Sequence, residues 1–138
     1  MRSKIEHLDF DHADEVRTFT HGHADILKTD RGDVGRLVLE PGWRWANDLK
    51  PSVGTEWCEA PHFQYHVSGR LAVHMADGSE FEVGPGEITS LPSGHDAWVV
   101  GDGAVVVVDF HGATDYAKPT GSRAGTDYAQ PVAGSARG

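Results

Sequence analysis

His62-Phe63-Gln64-Tyr65-His66-Val67-Ser68-Gly69 is the stretch on which the reading of this chain turns. Residues 62, 64 and 66 are spaced by two, so on a strand all three side chains project to the same face. A polar row on an interior face needs partners: a metal, a substrate, buried water or one another. Glu56 and Cys58 stand just ahead of the row; downstream of it, Gly84-Pro85-Gly86 and Pro92-Ser93-Gly94-His95-Asp96 punctuate the chain as far as Trp98. Together these predict a small β-barrel with candidate metal ligands on one wall.

The strands around that row are set by the turn residues. His62–Val67 and Arg70–Ala76 flank Ser68-Gly69, and Asp77-Gly78 marks a two-residue hairpin into Glu80–Val83. Strands are expected at Glu87–Leu91, Ala97–Val100 and Ala104–Phe110, with Val105–Val108 as a central, fully apolar strand. Upstream, Ala24–Lys28 and Gly35–Glu40 flank a turn at 30–33, and Pro41-Gly42 ends the second. Residues 43–55 read as a loop that carries Trp43 and Trp45. Asp11-His12-Ala13-Asp14 has the pattern of a short helix start. His74 alternates with Leu71, Val73 and Met75 and is expected to face solvent, as is the His21-Gly22-His23 segment. Beyond Ala117 the composition falls to Gly, Ala, Ser, Thr and Pro, which predicts a flexible tail over 118–138. Thr114-Asp115-Tyr116-Ala117 recurs there as Thr126-Asp127-Tyr128-Ala129, an echo that chance in a biased segment explains. The expected division is an N-terminal segment at 1–20, a barrel at 21–117 and the tail.

Bulk composition agrees with one all-β domain. The 138 residues suffice for a single core, and 17 glycines and 7 prolines with 38% hydrophobic residues suit short strands and tight turns. A formal charge of −9 repels nucleic acid and anionic membrane, so neither is an expected partner. Cys58 is the only cysteine, which excludes an intrachain disulfide. With no apolar segment long enough for a signal or a span, a cytoplasmic location is expected.

The glycine–proline punctuation resembles the cupin pattern. Gly86, Pro92 and Gly94 match the second motif, and residues 62–69 end the first. The resemblance covers about residues 34–112 and is nearest to small single-domain bacterial cupins carrying Pro-Gly-Trp-Arg-Trp, Gly-Thr-x-x-Cys, Ser-Gly-Arg and Gly-His-Asp-Ala-Trp. Here those are Pro41–Trp45, Gly54–Cys58, Ser68–Arg70 and Gly94–Trp98. It implies a single double-stranded β-helix, or jelly-roll, barrel and frequent homodimers. Counting from Gly69, the first-motif glutamate position of typical cupins is His62, and the two histidine positions before it fall at Glu56 and Cys58. The second-motif histidine position is Ala97, with His95 and Asp96 arriving early.

A carboxylate, a thiolate and an imidazole at 56, 58 and 62 suit Zn²⁺ or Fe²⁺, with Ni, Mn or Cu as alternatives, better than Mg²⁺ or Ca²⁺. No organic cofactor is expected. The plainer reading makes Cys58 a small buried hydrophobe and His62 a hydrogen-bonded core histidine. His95 and His66 are the candidate catalytic groups; Gln64, Trp43, Trp45 and Trp98 are candidates for binding a small-molecule ligand. Arg44 pairs either with a substrate carboxylate or with one of the protein's own acids. The expected function is a metal-dependent enzyme of small-molecule metabolism, of oxygenase, isomerase or lyase type. The alternative is a non-catalytic ligand-binding or sensing cupin with a degenerate metal site.

Overall fold

Alternation of buried and exposed residues along the strands builds two facing antiparallel sheets. The structure, a computed structural model, describes residues 4–111 together with Ala113 and Tyr116. The expected tail and its repeat therefore lie outside the described residues, Tyr116 excepted. The strands among the described residues are β1 (Glu15–Phe19), β2 (Gly22–Thr29), β3 (Gly32–Leu39), β4 (His62–Ser68), β5 (Arg70–Met75), β6 (Glu80–Val83), β7 (Ile88–Leu91), β8 (His95–Val100) and β9 (Val105–Asp109). The larger sheet runs β1-β2-β3-β9-β4-β7, and the smaller runs β6-β5-β8. Between them lies the core, in which Ile26, Leu39, Val73, Val105 and Val107 are fully buried.

β4 shows why these residues make a strand. His62, Gln64 and His66 are buried while Phe63, Tyr65 and Val67 are exposed, a strict period of two. β9 repeats the pattern with Val105, Val107 and Asp109 inside. The two strands pair with Gln64 opposite Asp109, so two inward rows lie side by side. The hairpin at Asp77-Gly78 forms as expected, with Met75 N donating to Ser79 O at 2.8 Å. Gly69 is sterically required: its φ is +80°, and an added Cβ would stand 2.3 Å from Ala104 O.

Two segments differ from expectation. The N-terminal helix is a single 3-10 turn, Phe10–His12, capped by the Asp9 carboxylate, and the chain then runs as β1. Val16 and Phe19 are three apart, a helical spacing, and on β1 they face opposite ways, Val16 toward solvent and Phe19 toward the core. Residues 43–55, expected as loop, contain the short helices α1 (Trp45–Asp48) and α2 (Lys50–Val53). Trp45 and Leu49 bury themselves in the core from this segment, and helical turns satisfy its backbone amides locally. Gly54 ends α2 at φ +91°.

Candidate metal centre

The side chains that meet between the sheets come from four places in the chain. β4 supplies His62 and Gln64, β8 supplies His95, and β9 supplies Asp109. Cys58 arrives on the segment before β4, which bridges to the free edge of β8: Cys58 N donates to His95 O at 2.8 Å. Cys58, His62 and His95 are all buried, and one candidate ligand atom from each lies within 4.8 Å of the others.

Both histidines have their second nitrogen occupied. His62 Nδ1 lies 2.5 Å from Asp109 Oδ2, and His95 Nδ1 donates to Pro92 O at 3.1 Å. That leaves each Nε2 as the nitrogen available to the group, and His62 Nε2 lies 3.9 Å from Cys58 Sγ. Histidines that bind metal are normally oriented in this way by a carboxylate or carbonyl behind them. Asp109 is itself fixed, accepting from Gln64 Nε2 at 3.2 Å and His111 N at 3.0 Å.

Burial opposes charge on His62, but Asp109, and then Cys58, outweigh it and raise the imidazole to about 10. Burial likewise raises a thiol, yet the charge of His95 and the hydrogen bond from His62 bring Cys58 down to about 6. Without a metal, the pair at neutral pH is therefore a thiolate beside an imidazolium. Tyr116 closes the other side, its ring edge-on to His62 at 5.7 Å. Burial, then Cys58 and Asp109, push its phenol well above the usual value.

These groups border a cavity of about 30 Å³, also lined by Trp43, Trp45, Leu91, Ala97 and Tyr116. A water needs roughly 10–15 Å³ measured in this way, so the space fits an ion and a ligand of a few atoms.

Of the residues singled out in the sequence, the structure brings Cys58, His62, Gln64, Trp43, Trp45 and His95 together around this cavity. Three do not fit as read. Glu56 is exposed, because residues 55–57 bend instead of extending, with Thr55 Oγ1 donating to Trp57 O at 2.7 Å. It is not part of the Cys58–His62–His95 group. His66 is buried but four residues along β4 from His62, roughly 13 Å at the strand rise. Its Nε2 bonds Thr89 Oγ1 at 2.9 Å, burial lowers its pKa, and it is outside the cavity lining. Trp98 has the opposite parity to His95 and Ala97 on β8 and lies under the Arg44 guanidinium at 4.4 Å instead of in the cavity. Asp96, expected beside His95, is held by Arg44 and by Ala46 N, so Arg44 pairs with the protein's own acid. His74 stacks on Trp57 and bonds Glu80.

Two residues of the site escaped the sequence reading. Asp109 has the inward parity of Val105 and Val107, a signal that becomes informative only once β9 is paired with β4. Tyr116 lies at the very end of the expected barrel segment, and no periodic signal marks it. His95 takes the place of the residue missing at Ala97 because positions two apart share a face of β8.

No protein-family model matches the chain, and no curated protein matches it. Solved structures do. The polyketide cyclase RemF from Streptomyces resistomycificus aligns with a TM-score of 0.55 at 15% identity, over 77% of this chain and 78% of that one. A Rhizobium leguminosarum protein of unknown function aligns at 0.56 and 19%, over 78% and 96%. The oxalate decarboxylase of Lactobacillus farciminis aligns at 0.54 and 14% over 78% of this chain, which spans only 33% of the decarboxylase chain. Likeness at these identities speaks for architecture alone, and with the two antiparallel sheets it shows an all-β fold of the cupin jelly-roll type.

Proposed function

We propose that this protein is a metal-dependent enzyme of small-molecule metabolism whose divalent ion is held by Cys58, His62 and His95. The observation that carries the reading is the convergence of three buried ligand atoms, each histidine backed by its own acceptor, on the floor of a mostly apolar cavity. One sulfur and two nitrogens select zinc or iron over magnesium or calcium. Three protein ligands would leave a coordination position for substrate or water, and an ion held there would polarise a carbonyl or acidify a water. The chain's own residues do the rest. Asp109 fixes the His62 tautomer, Gln64 fixes Asp109, and the apolar wall of Leu37, Leu39, Leu71 and Val107 excludes bulk water. A decarboxylase and a cyclase among the proteins of like fold support an enzyme of oxygenase, isomerase or lyase type.

Elemental analysis of tag-free protein tests this. About one equivalent of metal is expected in the wild type and none in Cys58→Ser or His62→Ala; stoichiometric metal surviving both substitutions overturns the assignment. The alternative is a ligand-binding or sensing module with a decayed site. It is favoured by Ala97 and by the thiolate–imidazolium pair that forms without metal, and it predicts that no metal binds the wild type.

A homodimer belongs to the same proposal. Phe63, Tyr65, Ile88 and Phe110 are 41–58% exposed around β4 and β7 at the edge of the larger sheet, an apolar face of the kind two copies bury. Light scattering should report a dimer for the wild type and a monomer for Ile88→Glu. A cytoplasmic location is proposed with it, since a reduced Cys58 ligand suits a reducing compartment. Among the described residues no helix is long and apolar enough to cross a membrane.

A further inference from the structure

The cavity wall contains a donor with nothing to donate to. Trp43 lines the cavity with Cys58, His62 and His95, is 3% exposed, and carries the one buried side-chain polar atom among the described residues without a hydrogen-bond partner, its Nε1. Of the polar groups on the same cavity, Gln64 is engaged with Asp109 and Thr89, and His62 and His95 each have Nδ1 engaged, with Asp109 and with Pro92 O. A buried N–H without an acceptor is destabilising, and a phenylalanine would fill the same wall without that cost. The indole is also well positioned, with Trp43 N donating to Glu40 O at 3.0 Å and Val99 N to Trp43 O at 3.0 Å. Leu39, Leu71, Val73 and Ala97, which line the same cavity, bring no side-chain acceptor.

We propose that Trp43 Nε1 donates to a small anion of about three heavy atoms or fewer, bound between the indole and the Cys58–His62–His95 group. The cavity of about 30 Å³ sets the size limit. Charge sets the order of binding. A divalent ion on the three ligands would make the local field positive and so attract an anion. The inference thus rests on the metal reading for what holds the far end of the ligand, while the donor belongs to the chain itself. It turns Trp43 from an apolar wall into a residue that selects for an acceptor.

Sodium azide is the probe. The four tryptophans give four indole N–H resonances in a nitrogen-15 spectrum, and Trp43→Phe identifies the one that matters. Titration of zinc-loaded protein should move that resonance saturably and leave the others in place. Trp43→Phe should weaken azide about tenfold by calorimetry with zinc content unchanged, the size of one hydrogen bond to a charged acceptor. A Trp43 resonance that stays put in both the zinc-loaded and the metal-free protein overturns the inference, as does an unchanged azide affinity in the variant. Zinc content of the same samples judges the metal separately: a resonance that moves without bound zinc keeps the donor and sinks the metal. Should Trp43→Phe fail to fold, Trp45→Phe, Trp57→Phe and Trp98→Phe assign the wild-type peak by elimination.

Discussion

His62 and His66 sit on one strand, on one face, both buried and four residues apart, yet the structure gives them opposite environments. At the His62 end, the smaller sheet sends His95 inward and the bridging segment adds Cys58, so the polar row meets other ligand-type atoms and a cavity. At the His66 end, Thr89 from β7 answers the imidazole, and Thr89 also donates a longer, 3.4 Å bond to Gln64 Oε1. One end of the row is a closed hydrogen-bond network; the other has coordination capacity to spare. Strand parity puts a residue inside, but its partners across the core decide whether it is structural or chemical.

The contrast breaks most sharply through Asp109. Asp109→Asn keeps the shape but removes the charge that holds His62, and metal affinity should fall about 10–100-fold. His66→Ala, the matching change at the other end, should leave metal stoichiometry intact; equal losses in the two variants, read by competition with a chelator, would erase the distinction.

The titration of metal-free protein gives a subtler test. His62 is raised to about 10, so its contribution to stability is complete below the unfolded value near 6.5 and is lost as pH rises through about 10. Cys58 is lowered to about 6, so its contribution is complete above the unfolded thiol value and is lost as pH falls through about 6. The slopes oppose one another across the middle of that range. Chemical denaturation should therefore show a plateau at neutral to mildly alkaline pH that falls away on approaching about pH 10. His62→Gln should abolish the alkaline fall, and its persistence would mean that another group is responsible.

The smallest effect expected is at the quiet end. Thr89→Val removes the acceptor of His66 and should lower stability by about 1–2 kcal/mol in urea unfolding, without changing metal content.

Much of the fold was legible because it is local. The spacing of 62, 64 and 66, the Asp77-Gly78 turn and the glycines at 69, 86 and 94 each state a backbone requirement that the chain meets wherever it is placed. Cys58 and His62 lie close together because they stand on either side of one strand start. Glu56 misled because parity holds only where the chain is extended, and residues 55–57 bend. Trp98 misled in the opposite way: it is on a strand, but on the face turned from the cavity, under Arg44.

Alternation and turn chemistry, which act over a few residues, let the sequence alone determine an all-β barrel and a polar row inside it. The tertiary structure decided which part of the row can do chemistry, because Asp109, His95 and Tyr116 reach His62 from 33 to 54 positions away in the chain. Contacts of that range depend on strand pairing, and pairing is a property of the packed sheets instead of any one segment.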